Sequence, residues 1–201
     1  MTNLFQIKRC MKKYRLLAFL VAMPFFTSAC STAAYKPERM VPDIQVQSGW
    51  STNQSVRVMG VDIQPDASHS GGFEIPQLSK EEFKKALILT LEKSGLFSEI
   101  GTTRGDLQLY TSINSQAIRY VVGEETAVMV ISYKFTDGDN NVIWQESYET
   151  EFSSVELGVP STRFVKIREG CVRENLSSFI QGIKDHWPNK ARVKGGGVRP
   201  L

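Results

Sequence analysis

The loop residues Ser68 and His69 are the pair in this sequence that comes closest to a nucleophile and its base. Gly71 and Gly72 follow them, within a polar stretch over residues 64–77. A catalytic hydroxyl needs an imidazole held in register by a third group, and neighbouring residues on a polar loop do not supply that geometry. No G-x-S-x-G motif accompanies the pair. The sequence therefore predicts no catalytic residues, and we expect a protein that is not an enzyme.

Metal-binding residue types also lack the spacing that a site would need. Two histidines and one cysteine of the body cannot form a zinc site by any known spacing. Residues 137–141 begin like a calcium loop, but apolar residues from Val142 onward occupy the positions of further ligands, so we interpret them as a hairpin turn. Four carboxylates are interpreted as a solvated strand face: Glu146, Glu149, Glu151 and Glu156. We expect no metal and no cofactor.

The N-terminus has the layout of a secretory signal. Basic residues up to Arg15 precede an apolar run that ends at Phe26, too short for the ~20 residues that span a bilayer. The small residues at 27–29 then lead to Cys30. This Thr-Ser-Ala-Cys sequence resembles a bacterial lipobox, which implies removal of residues 1–29 and acylation of Cys30. By the same resemblance, Ser31 favours the outer membrane of a Gram-negative cell, with the protein facing the periplasm.

Cys171 is the cysteine that remains once Cys10 leaves with the signal peptide and Cys30 carries lipid. The compartment permits disulfides, yet no partner cysteine is left in the chain. We therefore expect Cys171 to be a buried small hydrophobic residue rather than a reactive thiol.

Charge is distributed unevenly along the 201 residues. Residues 1–29 hold five basic and no acidic side chains, and residues 188–201 hold four basic and no acidic ones. The formal net charge of +3 for the whole chain therefore becomes −6 for the body between these segments. Nucleic-acid binding by a basic domain surface is disfavoured, and no nucleic-acid partner is expected.

The first helix is predicted over residues 80–94. Ser79 and Glu82 form a capping-box pattern, and Gly95 suits the left-handed position that ends a helix. Between them, apolar spacing predicts one buried face made of Phe83, Ala86, Leu87, Thr90 and Leu91.

Strands are predicted over residues 56–63, 106–118, 126–135 and 142–152, and a second helix runs from Pro160 to a point before Pro188. Inward strand positions alternate: Leu107, Leu109, Ile113, Ala127, Met129, Ile131, Tyr133, Phe135, Val142, Trp144, Tyr148 and Phe152. The apolar stripe of the second helix is Val165, Val172, Leu176, Phe179, Ile180, Ile183 and Trp187.

The apolar faces of the two helices and the sheet can be buried only against each other. This predicts a two-layer α+β domain with two helices on one face of a mostly antiparallel sheet, in the order β-α-β-β-β-α. The predicted organisation is a signal peptide over residues 1–29, a lipidated tether over 30–55, one domain over 56–187 and a basic, flexible tail over 188–201. A tether of about 25 residues could hold the domain up to ~80 Å from the lipid.

Four basic residues of the second helix form a candidate binding cluster: Arg163, Lys166, Arg168 and Arg173. Two readings stay open for them, a solvated helix face and a contact with a partner or lipid head groups. Glu124 and Glu125 are expected at a hairpin tip.

The parts together resemble small Gram-negative envelope lipoproteins. The resemblance rests on the lipobox, a helix that ends in Ser94-Gly95-Leu96-Phe97, the meander, and a closing helix that contains Arg173-Glu174-Asn175. Similar proteins include auxiliary lipoproteins of ABC-type lipid-transport systems, the class shared by the TolB N-terminal region and the curli-secretion lipoprotein, and the lipopolysaccharide-assembly lipoprotein. The resemblance implies a non-catalytic docking subunit of an envelope transport, secretion or assembly complex. The alternative is a lipid or lipopolysaccharide carrier, which would need an apolar pocket of ~300 Å³ or more between helices and sheet.

Overall fold

The computed structural model of the protein describes five ranges of the chain: 34–44, 51–64, 77–121, 124–154 and 160–187. The signal peptide, Cys30, the Ser68–His69 loop and the basic tail lie outside the described residues.

A short helix, α1 (Pro37–Met40), precedes the first strand, β1 (Ser55–Ile63). Helix α2 (Lys80–Ser94) follows, with the predicted bounds. Its N-terminus carries the expected capping box, in which the Glu82 backbone N–H donates to Ser79 Oγ at 3.1 Å and the Ser79 N–H donates to Glu82 Oε2 at 3.0 Å. Gly95 ends the helix in the left-handed region with φ 61°.

Four further strands complete the sheet: β2 (Glu99–Gly101), β3 (Leu107–Val121), β4 (Glu124–Thr136) and β5 (Val142–Ser154). They lie in the order β2-β1-β3-β4-β5. Strand β1 pairs parallel with both β2 and β3, whereas β3, β4 and β5 form the expected antiparallel meander. The α+β prediction is confirmed, and the sheet is mixed. Helix α2 supplies the crossover that parallel neighbours require, and β2 is too short to show a strand period.

The predicted inner faces are buried on β3 and β4 and only in part on β5. The inward residues of β3 and β4 are buried without exception, and on β5 Trp144 is 6% exposed, whereas Tyr148 and Phe152 are partly buried. Val142, however, is 56% exposed. The register shifts between Phe135 and Thr136, which pair with Trp144 and Val142, so Val142 leaves the alternation that its neighbours keep. Its assignment to the inner face was wrong.

The closing helix, α3 (Pro160–His186), has its predicted stripe buried against the sheet. Two glycines allow this long helix to lie close to β5. A Cβ on Gly170 would come within 2.3 Å of the Phe152 ring, and one on Gly182 within 1.7 Å of the Tyr148 hydroxyl oxygen. These positions accept no side chain unless the aromatic rings move.

Aromatic rings fill the space between the helices and the sheet. Tyr133 stacks on Phe179 with ring centroids 4.0 Å apart, and Phe135 meets the edge of Trp187 at 5.1 Å. A polar network lies beside the stack, in which Tyr133 Oη donates to Asn175 Oδ1 at 2.8 Å and Asn175 Nδ2 donates to the Tyr148 carbonyl at 2.9 Å. These side chains of the helices and the sheet fill the space between the two layers around Tyr133 and Phe135.

Candidate functional site

The four basic residues predicted as one cluster on α3 have different environments in the structure. Arg168 is fully buried. Arg163 donates from Nε and Nη2 to the two carboxylate oxygens of Glu125, which is itself 5% exposed. Only Lys166 is exposed, while Arg173 is half-buried. Two of the four cations therefore make contacts inside the domain, and Glu125, expected at a hairpin tip, is a buried ion-pair partner of Arg163.

Helix α1 joins α3 at this point and supplies a further cation. The Lys36 backbone N–H donates to Glu169 Oε1 at 2.7 Å, and Arg39 Nη1 lies 3.8 Å from Glu169 Oε2. Tyr35 and Met40, on either side, are buried in the core. Part of the segment expected to be a tether is thus packed on the domain. The sequence missed this because a single helical turn has no measurable period.

Burial sets the chemistry of the two charged residues beneath α1. Arg168 Nη1 donates to the Tyr35 hydroxyl at 3.4 Å. The side chain of Glu169 is 3% exposed, and this desolvation raises the pKa of its carboxyl, although the Lys36 N–H and nearby Arg39 act in the opposite direction. A buried charged side chain such as Glu169 is stable only with hydrogen-bond or ion-pair partners. Separating α1 from α3 would therefore cost free energy, because it would remove those partners.

Outside this buried contact lies a surface depression of ≈ 520 Å³, here called the basic hollow, lined by Glu38, Arg39, Val41, Phe152, Ser154, Lys166, Glu169 and Arg173. The Arg173 guanidinium lies over the Phe152 ring, 5.7 Å from its centroid. Of the two carboxylates, Glu169 is buried and Glu38 accepts from Lys85 Nζ at 2.9 Å. The lining of the basic hollow therefore contains three cations, Arg39, Lys166 and Arg173, of which Arg39 lies beside Glu169.

A second polar group, here called the Glu146 cluster, comprises Glu146, Tyr148 and His186 near the end of α3. Tyr148 Oη donates to Glu146 Oε2, and His186 Nδ1 lies 3.1 Å from Glu146 Oε1. Burial, followed by the bond to Glu146, raises the pKa of Tyr148, which keeps the phenol protonated and donating. Glu146 was expected on the solvated strand face; it lies instead on the inner side, with its side chain 31% exposed.

The cluster opens into a depression of ≈ 490 Å³ that Ser177, Gln181 and Asp185 also line. Glu146 already accepts from Tyr148 and lies beside His186, so its two oxygens are both engaged by neighbours. The arrangement joins the edge of β5 to the last turn of α3.

The turn at residues 137–141 is a hairpin turn, as expected. The Asp139 and Asn141 backbone N–H groups both donate to Asp137 Oδ1 at 2.9 Å, and Asn140 has φ 64°. Hydrogen bonds from Asn141 lower the pKa of Asp137. The described ranges contain no group of three His, Cys, Asp or Glu side chains placed to hold a metal ion.

Cys171 is buried, as predicted, and its Sγ donates to the Thr150 carbonyl at 3.3 Å. Burial raises the pKa of the thiol to about 11, so it is protonated at neutral pH. Within the described part of the chain, no helix is both long and apolar enough to cross a bilayer.

No protein-family model matches the sequence, and no curated protein matches it. Among solved structures, protein XCC0632 from Xanthomonas campestris, of the DUF330 family, is similar with a TM-score of 0.54 and 12% identity, covering 70% of this chain and 90% of that one. A putative neuraminyllactose-binding hemagglutinin homolog from Helicobacter pylori has a TM-score of 0.49 and 13% identity, covering 73% and 94%. Lipoprotein GNA1162 from Neisseria meningitidis has a TM-score of 0.42 and 10% identity, covering 66% and 99%. At these identities, the likeness to the Xanthomonas protein establishes a shared α+β fold.

Proposed function

We propose that the chain is an envelope lipoprotein, acylated at Cys30 and facing the periplasm from the outer membrane. In this proposal the domain is a non-catalytic docking subunit of an envelope transport, secretion or assembly complex. The lipobox-like sequence and the preceding signal support the anchor. The resemblance to auxiliary lipoproteins supports the accessory role.

The observation that carries the choice of a docking subunit over a lipid carrier is the aromatic packing between helices and sheet in the part of the chain that the structure describes. A carrier of this architecture would hold an acyl chain between helices and sheet. The Tyr133–Phe179 stack and the Phe135–Trp187 contact occupy that space. The basic hollow and the depression at the Glu146 cluster lie at the surface and carry several charged side chains each. The packing favours a domain that acts through its surface.

Acyl labelling in cells tests the anchor, with Cys30→Ser as the variant. The parent protein should incorporate the labelled fatty acid and remain with membranes after salt and carbonate washes. The variant should incorporate none and appear as a soluble or unprocessed periplasmic form. Continued labelling of Cys30→Ser would refute the assignment of the anchor.

The carrier alternative is tested on parent protein purified in mild detergent, by native mass spectrometry. We expect only the covalent acyl mass. A stoichiometric, non-covalently bound lipid that survives detergent exchange would favour a carrier.

The Glu146 cluster is the part of the described structure on which an enzymatic alternative would depend, because it combines a carboxylate, a phenol and an imidazole. Glu146→Gln and His186→Gln should preserve the phenotype of cells that depend on this protein. Loss of that phenotype at normal protein level and normal melting temperature would contradict the non-catalytic assignment.

A further inference from the structure

We propose that the domain rests directly on the membrane that holds Cys30, with the basic hollow turned towards anionic lipid head groups. This inference rests on the proposed acylation of Cys30 and adds the membrane-facing surface and its lipid class. It depends on two observations, the position of Tyr35 and the charges around α1.

The first observation is the shortness of the link between the lipid and the domain. Tyr35 is 6% exposed, belongs to the core and accepts a hydrogen bond from buried Arg168. Five residue steps separate it from Cys30, and an extended chain covers at most ~18 Å in five steps. The ~80 Å reach expected from a tether over residues 30–55 is therefore lost. In the proposed lipoprotein, the acyl group is joined to the domain by at most ~18 Å of chain.

The second observation is the charge on that surface. Arg39, Lys166 and Arg173 line the basic hollow, and the side chain of Lys36 is exposed beside it. Of the two acidic residues of the hollow, Glu38 pairs with Lys85, and Glu169 is buried and lies beside Arg39. Anionic head groups attract basic side chains near the surface, and each cation changes membrane affinity about fivefold.

The short link and the charges act together to select one orientation. The link lets the α1 side come into contact with the head groups, inside the ~8–10 Å over which charge attraction survives screening by salt. Strand β5 leads away from the hollow, from Ser154 back to Val142, over ~40 Å. The turn at residues 137–141, next to Val142, should therefore point towards the periplasm.

Contact quenching in vesicles tests this orientation on the full, lipidated protein. Vesicles contain phosphatidylethanolamine and phosphatidylglycerol with a small fraction of nitroxide-labelled head groups. A fluorophore is attached at Thr162→Cys, one helical turn from Lys166, or at Asp139→Cys in the distant turn. Both sites are exposed, whereas buried Cys171, with its pKa raised to about 11, does not compete for the label. Mass spectrometry confirms the acyl group before reconstitution.

We expect strong quenching at position 162 and little at position 139. In anionic vesicles, the double variant Lys36→Gln/Lys166→Gln should lower the ratio of contacting to non-contacting protein about fivefold per charge. Lys134→Gln, on the opposite sheet face, should not change this ratio. In phosphatidylcholine vesicles the double variant and the parent should behave alike.

Equal quenching at positions 162 and 139 would overturn the orientation. Undiminished quenching of the double variant in anionic vesicles would overturn the role of the basic hollow in head-group binding. A protein without acyl mass refutes the lipoprotein assignment itself, and the orientation with it, so this failure is recognised before any quenching is measured.

Discussion

The basic hollow near the start of α3 and the Glu146 cluster near its end each combine a carboxylate with basic or aromatic side chains, yet they use charge differently. In the Glu146 cluster, Tyr148 and His186 engage the two oxygens of one carboxylate. At the basic hollow, Glu169 is engaged from beneath by the Lys36 N–H and by Arg39, while Lys166 and Arg173 line the rim. In the Glu146 cluster the polar groups engage one another, whereas at the basic hollow basic side chains line the surface.

This difference indicates what each region contributes. Satisfied, partly exposed side chains such as those around Glu146 hold a strand edge to a helix end, at a contribution to stability of at most ~1 kcal/mol. A buried carboxylate that holds α1 fixes the path of the chain at Lys36 and Arg39 against α3. The comparison predicts that the two carboxylates respond very differently to substitution.

The largest effect should come from the core that both regions share. Leu87 is fully buried at the centre of the α2 face, whereas Ile88 is only partly buried. Leu87→Ala should lower the free energy of unfolding by ~2–5 kcal/mol through lost burial and a cavity. Ile88→Ala should cost clearly less. Thermal melting of both variants checks this, and equal melting temperatures would contradict the assigned face.

The next effect separates the two carboxylates. Glu169→Ala leaves the Lys36 N–H without its acceptor beside a buried surface, and should lower the free energy of unfolding by ~1–3 kcal/mol. It should also release α1, so that trypsin cleaves faster after Arg39. The matched variant Glu146→Ala should cost less than ~1 kcal/mol and leave this cleavage rate unchanged. If the two variants lost equal stability, the distinction drawn between the regions would be wrong.

Much of the frame that positions these regions follows from local patterns. The capping box at Ser79 and Glu82, the α2 face and the alternation along β4 each have several signals that agree, and the structure confirms them. Such patterns depend on neighbours within a few residues, which a single sequence displays directly.

The burial of charged residues could not be predicted from local sequence patterns in the same way. Arg168 and Glu125 are residue types found mostly at surfaces, so burial is not the expectation for either. Their burial depends on contacts between distant segments, such as the 133-residue separation between Tyr35 and Arg168. Mid-helix Gly170 and Gly182 were the available signal for a close approach of α3 to the sheet.

The smallest predicted effect concerns pH, and it has opposite signs at Glu169 and at Asp137. Desolvation raises the pKa of Glu169 in the folded state, so its favourable contribution is complete below the unfolded pKa of ~4.3 and is lost as pH rises through the folded value. Hydrogen bonds from Asn141 lower the pKa of Asp137, so its contribution is present above the unfolded pKa of ~3.9 and is lost as pH falls through the folded value.

Urea unfolding across acidic to neutral pH, for the parent, Glu169→Gln and Asp137→Asn, measures both contributions as differences between parent and variant. The parent's stability relative to Glu169→Gln should fall with rising pH, and its stability relative to Asp137→Asn should rise. A rising difference for Glu169 would mean that Lys36 and Arg39 outweigh desolvation. The buried contact of α1 would then be held by net charge attraction, and raising the salt concentration should weaken it.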